Sequence, residues 1–172
     1  MGLNERLAIY EKIETHRKRP LLVYVTSKRE GINASMATDA LPFLIDQLNQ
    51  LPVGTTELDF LIVSFGGDPM VAWRIMSLIR QHGINKVSVL IPQSAYSAAT
   101  LLALGADEIV MHPNGHLGPV DMQITTFADG KTKKFSTEDI SAFLEFVRER
   151  LGITDQNIFA GCSRSLAKRS EA

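Results

Sequence analysis

Ser94-Ala95-Tyr96-Ser97-Ala98-Ala99-Thr100-Leu101-Leu102-Ala103-Leu104-Gly105-Ala106-Asp107-Glu108-Ile109-Val110 is a small, hydroxyl-rich turn that leaves one apolar strand and opens an apolar helix. A serine in such a turn sits at a helix N-terminus, where backbone N–H groups lack intrahelical acceptors and the dipole favours negative charge. Those are the requirements of an oxyanion site. A second turn, Ser64-Phe65-Gly66-Gly67-Asp68, closes the preceding apolar strand in the same manner. Side by side, two such turns would supply a nucleophile and N–H donors for acyl transfer.

The strands that deliver these turns read as Leu58–Val63 and Val87–Ile91, with Pro92 ending the second. Leu21–Val25, begun by Pro20, and Glu108–Met111 are two more. Helical spacing connects them. Leu3, Leu7, Ile9, Tyr10 and Ile13 form an N-terminal stripe. Ala37 to Leu51 reads as a helix with Leu41, Phe43, Leu44, Ile45 and Leu48 inward and Pro42 in its first turns. Pro69, Val71, Ile75, Leu78 and Ile79 carry another helix, which Gly83 stops. Strands that alternate with helices and are apolar on both faces pair mainly in parallel, so the fold class is α/β. Gly31–Ser35 and His112–Asp121 read as loops. Ile124–Phe127 and Lys131–Phe135 flank Asp129-Gly130 as a hairpin, and Ser136-Thr137-Glu138-Asp139 opens a helix that Ile140, Phe143, Leu144 and Val147 continue. One domain over 1–160 is expected, with 161–172 a disordered tail that has little to bury.

Charge and composition exclude several classes. A formal net charge of -1 gives no general field for nucleic acid. The local basic cluster Thr15-His16-Arg17-Lys18-Arg19 reads as a solvated helix end. With Cys162 as the single cysteine, neither an intrachain disulfide nor a thiolate metal site can form, which fits a reducing cytosol. No metal and no organic cofactor is expected. The charged N-terminal segment is neither a signal peptide nor a membrane span, and Arg6 stands where a myristoylation signal needs Ser or Thr. A cytoplasmic location is the expectation.

Five stretches carry a family likeness: Arg19 to Ser27, Gly66 to Ile75, Ala95 to Thr100, Ala103 to Met111 and Leu117 to Asp121. On these the chain resembles the serine dehydrogenase proteinase family of Clp-protease/crotonase fold, up to the Thr154-Asp155-Gln156 region, beyond which related sequences continue with further helices. More distantly it is similar to the Clp proteolytic subunit, whose Gly-Gly turn and Ala-Ala-Ser-Met helix start correspond to Gly66-Gly67 and Tyr96-Ser97-Ala98. The resemblance implies a spiral of ββα units with a mainly parallel sheet and flanking helices. It also implies a homo-oligomer of ring or trimer type, a peptide or protein substrate, and Ser97 as nucleophile.

Each site residue also has a plainer reading. Ser97 alone could be a first-turn helix serine, and Ser94, nearer the strand end, reads as the cap. Gly66 and Gly67 permit positive φ in a tight turn, and their missing side chains let a carbonyl reach N–H groups that would join Ala98 in the oxyanion hole. Trp73 and Arg74 read as packing and surface residues. A base is also required. The position of the Clp histidine falls near Val120, so a Ser-His-Asp triad is not reproduced, while His112 and His116 lie close in sequence. Resemblance to signal-peptide-peptidase-like enzymes of the same fold implies a Ser-Lys dyad instead, with the lysine just before the helix that follows the hairpin. Lys134 occupies that place and Lys133 is the alternate; the competing reading is a solvated charge run over Lys131, Lys133 and Lys134. Three functions follow in order: a serine endopeptidase acting through Ser97, an oligomeric scaffold that lost its base, and crotonase-type acyl-CoA chemistry.

Overall fold

The computed structural model describes residues 2–120, 123–128 and 131–136, together with helical positions 141, 142, 145, 148 and 149. Two compact units divide the chain, Met1–Val120 and Asp121–Ala172. The first begins with α1 (Leu3–Arg17), β1 (Leu21–Val25) and a small antiparallel hairpin of β2 (Lys28–Arg29) and β3 (Ile32–Asn33). It continues through α2 (Ala40–Asn49), β4 (Glu57–Val63), α3 (Pro69–Gln81) and β5 (Lys86–Ile91). Short β6 (Ser94–Ala95), α4 (Ala98–Leu104), β7 (Glu108–Met111) and β8 (His116–Leu117) complete it.

Strands β1, β4, β5 and β7 form one sheet in the order β1-β4-β5-β7, with every pair parallel. This is the mainly parallel α/β architecture with flanking helices that the sequence implies. Successive residues Leu58 to Leu61 of β4 and Val87 to Ile91 of β5 are all buried, so both faces of the central strands are covered. Val71, Ala72, Ile75 and Ile79 of α3 and Ala98, Ala99, Leu102 and Ala103 of α4 join this core. A buried apolar side chain of this size contributes about 1.5–3 kcal/mol. Asp68 caps α3 with its carboxylate, which accepts from the Met70 N–H at 2.8 Å, and Pro69 occupies the first turn, where its missing donor costs nothing.

Several elements differ from the sequence reading. The stripe on α1 is not buried: no residue of that helix is, and Leu3, Leu7 and Ile9 are exposed. In α2 the buried set is Leu41, Leu44 and Leu48, spaced i, i+3 and i+7, so Phe43 and Ile45 fall off that stripe and Phe43 is 69% exposed. Part of the Gly31–Ser35 loop is strand β3, and part of the His112–Asp121 loop is strand β8. Trp73 is exposed rather than packed in the core.

In the basic cluster at the end of α1, Thr15, His16 and Lys18 are exposed as expected, whereas Arg17 and Arg19 turn onto the sheet. Leu21, Asp59, Ser88 and Glu108 stand in one cross-strand row near the N-terminal ends of the sheet. Arg17 forks onto the Asp59 carboxylate, with Nε on Oδ2 and Nη2 donating to Oδ1 at 3.1 Å. Arg19 donates to Ser88 Oγ at 2.9 Å and pairs with Glu57 at 2.9 Å, while Ser88 donates to Glu108 at 2.6 Å. The Asp59 side chain is 1% exposed and its charge is compensated on the spot. The hydrogen bond to Asp59 raises the Arg17 pKa, and the Ser88 hydroxyl, helped by Arg17, Lys86 and Arg19, holds the Glu108 carboxyl below its ordinary range.

In the second unit β9 (Gln123–Ala128) and β10 (Lys131–Ser136) form an antiparallel hairpin, with Lys131 opposite Ala128 and Ser136 opposite Gln123. The Asp129-Gly130 turn, most of the following helix, Cys162 and the 161–172 tail lie outside the described residues.

Candidate active site

The site is built at the C-terminal ends of β4 and β5. Beyond β4, Ser64 bridges Ala95 in parallel: its N–H donates to Ser94 O at 2.8 Å and its carbonyl accepts from Tyr96 N–H at 3.0 Å. The chain leaving β5 is thereby pinned beside the glycine turn. On its other side β6 pairs with β8, Gly118 N–H donates to Ala95 O at 3.0 Å, and Thr100 Oγ1 donates to Ala95 O and Gly118 O at 2.7 and 2.9 Å.

Between these anchors Ser97 takes φ 52° and ψ -118°, one of two non-glycine residues with positive φ among those described. Such a backbone costs about 1–3 kcal/mol and survives only where its surroundings enforce it. Ser97 is the helix N-cap residue, yet its hydroxyl makes no cap bond and has no partner among the described residues. Ser94, read as the cap, instead lies in β6 and is buried against His116 in the strand register. The correction follows from chain direction: the N-cap position falls three residues later, at Ser97, and backbone pairing of β6 uses the earlier serine.

The glycine turn abuts this serine. Gly66 has φ 91°, and a Cβ there would lie 2.6 Å from Tyr96 O and 2.8 Å from Ser97 Cβ. Gly67 has φ 152°, and a Cβ would overlap Met36 O and lie 2.5 Å from Met36 N. Met36 N–H donates to Gly66 O at 2.8 Å and Asp68 N–H donates to Met36 O at 2.9 Å, so the buried Met36 backbone grips the turn from behind. Of the three N–H groups expected for the oxyanion hole, that of Gly66 is occupied, since it donates to Ser64 Oγ at 3.1 Å. Those of Gly67 and Ala98 have no acceptor among the described residues.

The base candidates divide. His112 Nδ1 accepts from Asn114 N–H at 3.1 Å, and His116 Nδ1 lies 3.1 Å from Asn114 O. Both are exposed and tied to their own loop, and neither bonds to Ser97. The His116 ring packs on Tyr96, with centroids 5.5 Å apart, and Phe65 meets Tyr96 edge-on at 5.8 Å. Lys133 and Lys134 stand opposite Thr126 and Thr125 in the hairpin. Among the described residues no group of three or more His, Cys, Asp or Glu is placed to hold a metal ion, and no helix is long and apolar enough to cross a membrane. Sequence reasoning gave no role to Thr26, Ser64 or Thr100. Their signal was a lone hydroxyl directly after, or in the first turn beyond, an apolar strand.

A serine turn and a glycine turn thus meet at the carboxyl ends of the parallel sheet, where open α/β sheets place their ligands. The description of ClpP-like SDH-type serine proteinases matches residues 49–139, just over half of the 172 residues, and the chain belongs to that family. An uncharacterized protein of Methanocaldococcus jannaschii is 40% identical over 67 residues, which are 39% of this chain and 23% of that protein. The chain thus spans about a quarter of the length of the curated relatives it matches. Among solved structures, a membrane-bound stomatin-specific protease, as a mutant in complex with a substrate peptide, is similar at 21% identity and a TM-score of 0.47, over 75% of this chain and 58% of that one. A second mutant of that protease is similar at 19% identity and a TM-score of 0.48, over 75% and 62%.

Proposed function

We propose that this chain is a serine peptidase that cleaves peptide bonds through an acyl-enzyme on Ser97. The supporting observation is the pairing of an uncapped serine in a left-handed backbone with two N–H groups, of Gly67 and Ala98, that lack acceptors among the described residues. A side chain spending its helix-start position without capping, at a cost in backbone strain, is arranged for something other than stability.

In the first step Ser97 Oγ attacks the peptide carbonyl carbon while its proton passes to the base, for which resemblance to signal-peptide-peptidase-like enzymes of the same fold supports Lys134 as a neutral amine. The carbonyl oxygen becomes an oxyanion held by the Gly67 and Ala98 N–H groups. Collapse breaks the C–N bond, the protonated base returns the proton to the leaving amine, and water then attacks the ester by the same route in reverse to release the acid and restore Ser97. No metal or organic cofactor takes part in this scheme. The protein works as a homo-oligomer in the cytoplasm, with peptide or protein as substrate.

Intact-mass analysis after treatment with a fluorophosphonate probe tests this reading. One adduct per chain, mapped to Ser97 and abolished in Ser97→Ala, is expected, with Lys134→Ala slowing labelling by at least about 100-fold. A folded protein that takes no label would overturn it in favour of a non-catalytic assembly; label on Ser94 would overturn the assignment of the nucleophile.

A further inference from the structure

Thr26, 38 residues from Ser64 in sequence, meets it behind the glycine turn. Ser64 is fully buried and Thr26 nearly so. Thr26 Oγ1 donates to Ser64 Oγ at 3.0 Å, and Ser64 Oγ in turn accepts the Gly66 N–H at 3.1 Å. Phe65 N–H approaches Thr26 Oγ1 at 3.4 Å, and Thr26 N–H donates to Val63 O at 2.9 Å, which sets Thr26 at the end of β4. The backbone of the same Ser64 holds Ser94 and Tyr96 on the nucleophile's turn. Ser64, itself in the glycine turn, is thus bonded by its main chain to the serine turn and by its side chain to Gly66 of its own turn.

A peptide N–H can serve only one strong acceptor at a time, and a buried donor left without one is costly. By taking up the Gly66 N–H, Ser64 fixes the orientation of the Phe65–Gly66 peptide; the next peptide, which carries the Gly67 N–H, joins it at Gly66 with φ 91° and has its carbonyl held by Met36 N–H, so Ser64 and Met36 set its plane together. Its own hydroxyl orientation is settled by Thr26, which donates to it and leaves its proton for another acceptor. Ser64→Ala would leave the Gly66 N–H orphaned and free to swing toward any carboxylate or substrate oxygen nearby.

We infer that Ser64, oriented by Thr26, is a positioning residue that aims the Gly67 N–H at the reacting carbonyl oxygen. This rests on the peptidase reading above. Oxyanion donors act on the transition state and a displacement of about 1 Å costs on the order of 100-fold, so the loss appears in the chemical step and not in binding.

The test is the kinetics of fluorophosphonate labelling of the whole protein, resolved into the limiting rate kinact and the half-saturating concentration KI, with amide exchange at Gly66 followed in parallel. Ser64→Ala should lower kinact by about 10- to 100-fold and leave KI within about twofold, with full final labelling and faster Gly66 exchange. The near-isosteric Thr26→Val should lower kinact by about 3- to 10-fold, and Thr26→Ser should restore it. If Ser64→Ala does not fold, the Thr26 pair decides alone. A fall in the final labelled fraction with kinact unchanged would show a merely structural role and overturn the inference. A parent protein that takes no label overturns the peptidase reading and the positioning role with it, whereas a labelled parent whose kinact ignores both hydroxyls overturns the positioning role alone.

Discussion

At the N-terminal ends of the sheet, every charge of the Arg17, Arg19, Asp59 and Glu108 group has a partner, and Ser88 both accepts and donates. At the C-terminal ends, the Ser97 hydroxyl and the Gly67 and Ala98 N–H groups have none among the described residues. One end is held by side chains and is electrically closed. The other is held by main chain and buried hydroxyls and is left open. Buried polar groups are normally paired, so a saturated cluster reads as structure and an unsaturated one as a place for a ligand. On the function proposed above, the saturated cluster is structural and the unsaturated one is the place of chemistry.

That contrast can be broken most directly at Gly67. Adding one methyl group in Gly67→Ala forces it into the Met36 main chain in a backbone conformation that L residues rarely adopt. A loss of about 3 kcal/mol or more in unfolding free energy is expected, together with loss of Ser97 labelling, as measured by urea denaturation and probe uptake. A stable, fully reactive Gly67→Ala protein would mean that the open end is not held by its main chain.

At the closed end a deletion should act on stability alone. Asp59→Ala takes away the main partner of Arg17, which keeps Glu108 at 3.6 Å, while Arg19 keeps Glu57 and Ser88, and both guanidinium groups reach solvent, with side chains 25% and 20% exposed. The expected cost is therefore about 2 kcal/mol, below that of a fully buried pair. Labelling of Ser97 should keep its rate in the folded protein. A large change in that rate would show that the two ends communicate.

The smallest effect is one of pH. The Glu108 carboxyl is held below its ordinary value of 4.5 chiefly by the Ser88 hydroxyl. A carboxyl depressed in the folded state stabilises fully above its unfolded value and loses that contribution as pH falls through the lower folded value. Glu108→Gln should therefore lower Tm slightly at neutral pH and flatten its acid-side decline below about pH 4.5, the two curves converging once Glu108 is protonated. An unchanged acid slope would remove Glu108 from the closed end's account.

Some of this was legible before any coordinates. The apolar runs of β4 and β5, Pro69 at the start of α3, and the glycine pair are local signals, and local propensity is enough to set them. The hairpin of β9 and β10 followed from alternation around Asp129-Gly130. Helix orientation was harder to read: the stripe of α2 admits only residues on one face, and Phe43 and Ile45 are apolar without lying on it. Exposed apolar residues are common enough that hydrophobicity alone does not assign a face.

Sequence by itself determined the order of the four sheet strands and their helices, the two turns and the serine in the second of them, because each depends on neighbours a few residues away. Tertiary structure alone decided which serine stands at the helix start with a strained backbone, that Gly66 spends its N–H on Ser64, and that Arg17 and Arg19 close on Asp59 across 42 and 40 residues of chain. Those outcomes depend on the parallel register that lines up Asp59, Ser88 and Glu108 at one end and brings Ser64 beside Ala95 at the other. Register is a property of paired strands, and no single strand contains it.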